Sequence, residues 1–223
     1  MRLAARLLDL LFPPKCVFCQ RLLAENETEL CTRCRRELPE TQKEIKRGEF
    51  FSSCICVYDY EGLVRESVLR FKFGGMRQYA GAYGRLLAMR LLRQKEQYDL
   101  VSWVPVSAKR RRKRGYDQAE LLARQTAEEL GLPCVITLEK FRDNPAQSSR
   151  ADAAARRANV LNVYRPVEPD RIKGKRILLI DDVITTGATL SECCKTLRLA
   201  GTSEIFCAAL AAAQKPVGTA QKQ

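Results

Sequence analysis

Histidine is absent from all 223 residues of the chain. Its absence removes a Ser-His-Asp triad, a Cys-His dyad and every imidazole metal ligand at once. An uninterrupted apolar run of about 18 residues is also missing, so no membrane-spanning helix is expected. The opening residues, MRLAARLLDLLFPPKC, have an early arginine and many leucines but no clean apolar stretch and no small-residue cleavage site, because Arg6 and Asp9 interrupt them. A secretory signal is therefore not expected. The stretch reads instead as a short amphipathic helix that ends at Pro13-Pro14 and packs on the protein, with contact to a membrane surface as the lesser alternative.

What is present bounds the rest. A hydrophobic content of 46% supports a sizeable core, and the length suits one ordinary domain plus a small appendage. The formal net charge is +13 and the isoelectric point about 9.5. Such a balance favours polyanionic partners, among them DNA, RNA and phosphorylated small molecules. A generic basic surface has the same charge, so composition alone does not choose between them.

Ten cysteines remain. Four form Cys16-x2-Cys19 and Cys31-x2-Cys34, separated by eleven residues. Two such pairs place four thiolates within reach of one tetrahedral ion, and four sulfurs suit a structural zinc. An iron–sulfur cluster and a redox dithiol are the alternatives. Lys15, Arg33, Arg35 and Arg36 stand close by and ease thiolate formation. The grouping of cysteines, without a secretory signal, favours a reducing compartment and metal binding over disulfides. Cys54 and Cys56 sit in a β-branched, aromatic stretch that predicts a strand, with Cys54, Cys56, Tyr58 and Tyr60 on one face as core side chains. Residues 37–50 are polar and aperiodic. They mark the expected boundary between an N-terminal module (1–45) and a main domain (50–213), with 214–223 as a disordered tail.

The chain is organised around residues 176–189, RILLIDDVITTGAT. Four apolar residues, two carboxylates, two more apolar residues and a small-residue turn lead into an apolar-faced helix. This pattern reads as a buried strand, an acidic strand end, a tight loop and a helix N-terminus. Backbone N–H groups of such a turn, with the partial positive charge of a helix start, hold a phosphate. Thr185, Thr186 and Thr189 add hydroxyl donors, and Gly187 lets the backbone bend. Asp181 and Asp182 are acceptors for vicinal sugar hydroxyls, or for a divalent metal on a diphosphate. The stretch resembles the PRPP-binding motif of type I phosphoribosyltransferases. That resemblance implies that Asp181 and Asp182 hold the ribose hydroxyls, that Val183 and Ala188 line the site, and that residues Thr185 to Thr189 wrap the 5-phosphate.

The remaining segments fit a mostly parallel, Rossmann-like α/β sheet with flanking helices. Helices are expected from Gly62 to Phe73 and from Tyr79 to Leu92, with Lys72 before Gly74-Gly75 as a candidate anion contact or a solvated lysine. A strand at 99–106 leads into Lys109, Arg110, Arg111, Arg112, Lys113 and Arg114, read as a loop. Six consecutive like charges repel unless an anion gathers them, and a diphosphate or a nucleic-acid backbone does so. A solvated basic loop is the bland alternative. Tyr116 beside the run is a candidate for stacking a base. A helix from Asp117 to Leu130 follows, then strands at 134–138 and 159–164 flanking a long polar segment (140–158) read as a mobile loop that closes over ligand. A final strand is expected at 203–210.

Taken together, the four-cysteine start, YEGLVRESVLRFKFGG, VPVSAKRRRKRGYDQAELLA, FRDNPAQSSRADAAARRANVLNVY and the PRPP motif resemble the ComF family of bacterial competence proteins. The resemblance implies a zinc-binding N-terminus, a type I phosphoribosyltransferase-like domain and Mg²⁺ bound with PRPP. It implies a cytoplasmic protein that works near the inner membrane on transforming DNA, with a helicase-like ComF partner and single-stranded DNA. Carried over by position, Lys109, Arg110 and Arg114 meet the diphosphate, and Gln147 and Arg156 belong to the flexible loop. Residues 151–155 are alanine-rich where the family is hydrophobic and acidic. With only Cys54 and Cys56 as a second pair, one zinc is expected. No glutaminase segment is present, so ammonia transfer from glutamine within this chain is not expected. Two functions stay open: a phosphoribosyltransferase with an unidentified acceptor, in which Asp181 and Asp182 are catalytic, and a binding protein for PRPP and DNA.

Overall fold

A computed structural model describes residues 13–41, 48–142 and 163–213. Helix α1 (Thr32–Glu37) belongs to the four-cysteine module. The main body runs β1 (Ser53–Asp59), α2 (Gly62–Phe73), α3 (Tyr79–Leu91), β2 (Leu100–Trp103), α4 (Ala108–Arg114) and α5 (Gln118–Leu130). It continues with β3 (Leu138–Lys140), β4 (Tyr164–Pro166), α6 (Pro169–Ile172), β5 (Arg176–Ile184), α7 (Ala188–Leu199) and β6 (Glu204–Ala212).

The main sheet has the order β1-β6-β5-β2, and all its pairings are parallel. Beyond β2 the sheet is extended by a parallel bridge between Val101 and Cys134. Strand β5 is central and covered on both faces, which explains its unbroken apolar run. Residues Ile177 to Ile180 are fully buried and alternate between two cores. Leu178 and Ile180 pack with α2, α3 and α5 on one side. Ile177 and Leu179 pack with α7, β4 and α6 on the other. A separate antiparallel pair, β3 with β4, flanks the stretch that lies outside the described residues.

Several expectations change. The basic run is not a loop but the helix α4. Ser107 accepts from the N–H of Arg110, and Gly115 closes the helix in the left-handed region at φ +79°. These caps supply partners for both helix ends and offset the charge repulsion. The strand expected at 134–138 is reduced to the Cys134 bridge and β3. The strand expected at 159–164 begins at Tyr164, residues 159–162 lying outside the described ones. Cys54 and Cys56 do share a core, with Cys207 and Ala209. Tyr58 does not join them, because its ring meets Phe18 edge-on at 5.3 Å in the opposite core. The polar boundary is not a free linker at its start: Glu40 bridges antiparallel to Tyr58, and Thr41 N–H donates to the Val57 carbonyl at 3.0 Å. The expected N-terminal helix, the segment 143–158 and the tail 214–223 fall outside the described residues.

Candidate phosphoribosyl and zinc sites

The two carboxylates stand at the C-terminal end of β5, where successive side chains leave opposite faces of the sheet. Asp182 turns toward α2, where its Oδ1 lies 2.9 Å from Lys72 Nζ. Both side chains are largely buried, at 13% and 18% exposed, so this ion pair is only partly screened by solvent. Lys72 is thus an inward-facing partner of the acid pair and not a solvated lysine. Asp181 has no such ion pair among the described residues. Its Oδ1 accepts from the Asp182 N–H at 2.8 Å. Burial, with the neighbouring Asp182 charge second, pushes its carboxyl up to about 7, against the opposing pull of Lys72. One acid is neutralised within the protein, and the other is held near neutrality.

Removing Lys72 leaves Asp182 without its partner. Lys72→Met is expected to lower stability by roughly 2 kcal/mol, below the ~3–5 kcal/mol of a fully buried pair because some solvent reaches both groups. Denaturant melts of the purified variant check this. An unchanged midpoint would mean that the pair contributes nothing.

Beyond β5, Thr185 is exposed, and Thr186, Gly187, Ala188 and Thr189 are half-buried. Gly187 has φ +74°, a conformation that side chains with a Cβ resist. It is the N-cap of α7 and offers no side-chain acceptor. Thr186 Oγ1 reaches the Ala188 N–H at 3.4 Å. A helix start with a side-chain-free cap presents its N–H groups to an incoming anion. Val183 is buried in the core shared with α2, α3 and α5.

Helix α4 approaches the same acids. Arg114 is half-buried and donates to Gln118 Oε1 at 2.7 Å. Burial lowers its pKa while the Asp182 charge opposes that shift. Lys109, Arg110, Arg111, Arg112 and Lys113 are exposed. Arg111 pairs with Glu120 at 3.2 Å; Lys109, Arg110, Arg112 and Lys113 make no ion pair within the described residues. Asp117 holds the segment in place. Its carboxylate accepts from Val106 N–H at 2.9 Å and Ala119 N–H at 3.0 Å, and burial raises its pKa.

Tyr116 is not presented for stacking. Its ring is 6% exposed, its hydroxyl donates to the Phe71 carbonyl, and the Arg77 guanidinium sits 4.8 Å above it. The structure therefore brings Asp181, Asp182, Lys72, Arg114 and the Thr185–Thr189 turn to one end of the sheet. Gln147 and Arg156 lie outside the described residues. Sequence reasoning passed over Asp117 as a strap and Arg77 as a clamp. An acid just before a helix was a legible cap signal; the Arg77 contact had no local signal.

In the N-terminal module, which meets α2 at Ser67 and Arg70, the Sγ atoms of Cys16, Cys19, Cys31 and Cys34 all lie within 4.8 Å of one another. Cys19 and Cys31 are 3.6 Å apart. Zn–S bonds of about 2.3 Å in a tetrahedron place sulfurs roughly 3.8 Å apart, so the set fits one zinc ion. Gln20, at φ +63°, closes the first knuckle, and its N–H donates to the Cys16 carbonyl at 2.9 Å. Backbone donors outweigh burial and lower the Cys16 thiol to about 7, whereas burial raises Cys34. Among the described residues no second cluster of this kind occurs.

A parallel sheet with an acidic strand end and a glycine-capped helix is the frame of a phosphate-binding α/β domain. Residues 117–223 match the Phosphoribosyl transferase domain family, and residues 7–45 match the Double zinc ribbon domain family. The chain is 29% identical over 181 residues to Competence protein F of Haemophilus influenzae, covering 78% of this chain and 75% of that protein. It is 27% identical over 207 residues to DNA utilization protein YhgH of Escherichia coli O157:H7, covering 86% and 88%. Over most of its length the chain is thus similar to proteins named for competence and for DNA utilization. Among solved structures, the glutamine phosphoribosylpyrophosphate amidotransferase of B. subtilis is similar at 22% identity and a TM-score of 0.45, over 63% of this chain and 30% of that one. No helix among the described residues is long and apolar enough to cross a membrane.

Proposed function

We propose that this protein binds PRPP with Mg²⁺ at the β5–α7 junction and handles single-stranded DNA during DNA uptake. The observation that carries the ligand reading is the division of labour between the two acids. Lys72 pairs with Asp182, leaving Asp181 with no ion pair among the described residues, beside a helix start whose N-cap, Gly187, has no side chain to fill it. A ribose 5-phosphate complements that arrangement, with its hydroxyls on the carboxylates and its phosphate on the Thr185–Thr189 turn. Arg114, and Lys109 and Arg110 on the same helix, would meet the diphosphate end. Mg²⁺ arriving with the diphosphate supplies charge neutralisation. Calorimetric titration of Mg–PRPP into zinc-loaded protein tests the reading, and an absence of heat and of thermal stabilisation would overturn it.

The DNA reading draws on the cations of α4, on the net charge of +13 and on the similarity to a competence protein and a DNA utilization protein. About five exposed cations on a single strand imply a slope near −3.5 in log affinity against log salt. Affinity for oligo(dT) is therefore expected to fall roughly a hundredfold between 50 and 200 mM salt, as read by fluorescence anisotropy. A flat profile would remove α4 from the interface.

Turnover is the second reading, favoured by the half-buried Arg114, which feels the charge of Asp182. In that case the bond from C1 to diphosphate breaks, the acceptor's lone pair forms the new bond, and diphosphate leaves with the charge that Arg114 offsets. Release of diphosphate from bound PRPP distinguishes it from binding alone.

A further inference from the structure

Two aromatic rings among the described residues are largely exposed, Phe73 at 66% and Phe141 at 43%. Leaving a phenylalanine in water forgoes the free energy of burying its ring. Phe141 adjoins the stretch outside the described residues; Phe73 lies well inside the described segment 48–142.

Phe73 is the last residue of α2 and precedes Gly74-Gly75. The preceding residue, Lys72, turns inward to Asp182, and Phe73 turns outward. The Arg114 guanidinium sits 4.9 Å over one face of its ring. Arg114 ends α4, and one turn back on that helix lie Arg110 and Arg111, both exposed. A single open ring face, a cation on its back and a row of further cations suit a planar ring attached to a chain of phosphates. One ring is too small an apolar surface for a lipid or a protein partner. A duplex keeps its base faces stacked, whereas a single strand presents them.

We propose that Phe73 is the base-stacking platform of a single-stranded DNA site. One base lies on its free face, Arg114 backs the ring through a cation–π contact, and the cations of α4 take the flanking phosphates. This deepens the DNA-handling reading above and rests on it. It also replaces Tyr116, which is buried, as the stacking residue.

Fluorescence anisotropy with labelled oligo(dT) on the full zinc-loaded chain tests the assignment. Phe73→Ala is expected to lose about 5- to 150-fold in affinity, the range for one stacked base. Phe73→Leu, apolar but not aromatic, is expected to lose as much. The salt slope stays unchanged in both, because no phosphate contact is removed. Phe73→Trp is expected to keep the affinity and to be quenched on binding, which is readable because Trp103 is the only native tryptophan and is 4% exposed. A strand of abasic sites is expected to bind wild type and Phe73→Ala alike. Wild type that binds oligo(dT) while Phe73→Ala binds equally well overturns the platform and leaves the DNA reading standing. Wild type that binds no oligo(dT) overturns both. Quenching of Phe73→Trp by a free mononucleotide but not by oligo(dT) assigns the ring to a small-molecule site and overturns the DNA assignment.

Discussion

Exchanging Asp181 and Asp182 together for asparagine is expected to weaken Mg–PRPP binding by at least roughly a hundredfold, since each charged hydrogen bond contributes about 1.5–3 kcal/mol. Asparagine keeps the size of each side chain, so the buried strand end remains packed. Lys72 loses its partner, which makes Asp181→Asn alone the cleaner variant for stability. Here the pH dependence has a definite sign. The Asp181 carboxyl titrates near 7 in the folded chain against 3.8 ordinarily, so the folded state holds its proton more tightly than the unfolded one. Stability from this group is fully present below 3.8 and is lost as pH rises through about 7. Ligand-free wild type is therefore expected to melt lower at pH 8 than at pH 5.5, and Asp181→Asn is expected to flatten that difference. Thermal melts at the two pH values, paired with calorimetry, read both effects. A variant that still binds Mg–PRPP with wild-type affinity would remove the acids from the site. A variant that loses PRPP but keeps oligo(dT) would show that the two ligands use separable groups.

The central strand and its loop were legible because each feature had a local cause. Apolar residues on both sheet faces mark Ile177 to Ile180, two acids mark the strand end, and Gly187 marks the turn. The four cysteines were legible because metal-ligand spacing is itself local. The charge run misled: six like charges suggested a loop, but Ser107 and Gly115 were cap signals already visible on either side of it. Tyr116 misled for another reason. Its hydroxyl reaches the Phe71 carbonyl on a different helix, a contact that no window around residue 116 encodes. The Lys72–Asp182 pair is likewise a product of how α2 crosses the end of β5, which only the packed fold reveals.

Zinc removal is expected to unfold the N-terminal module and to weaken Mg–PRPP binding at a distance, because α2 serves both sites. Val17 and Phe18 lie inside the first cysteine pair, and their carbonyls accept from Ser67 and Arg70 of α2. The Ser67 hydroxyl also meets that of Tyr83 at 2.5 Å, and the Phe18 ring packs against Tyr58 and Tyr83. A residue or two further along the same helix, Phe71 holds Tyr116 and Lys72 holds Asp182. Without a cation, four sulfurs within 4.8 Å cannot all remain thiolates, and burial keeps Cys34 protonated. Structural zinc supplies about 10–16 kcal/mol in comparable peptides, more than most domains hold in reserve. The zinc-free chain is thus expected to lose its knuckle geometry, free Ser67 and Arg70, and loosen the helix end that carries Lys72. A zinc-selective chelator, followed by thermal melts and Mg–PRPP titration, measures both consequences, and zinc re-addition should restore both. Ser67→Ala isolates the linkage, since it removes one docking bond and leaves all four thiols in place. If Ser67→Ala binds PRPP as wild type does, and the zinc-free chain melts within a degree or two of the loaded one, the module is an independent appendage and α2 transmits nothing between the two sites.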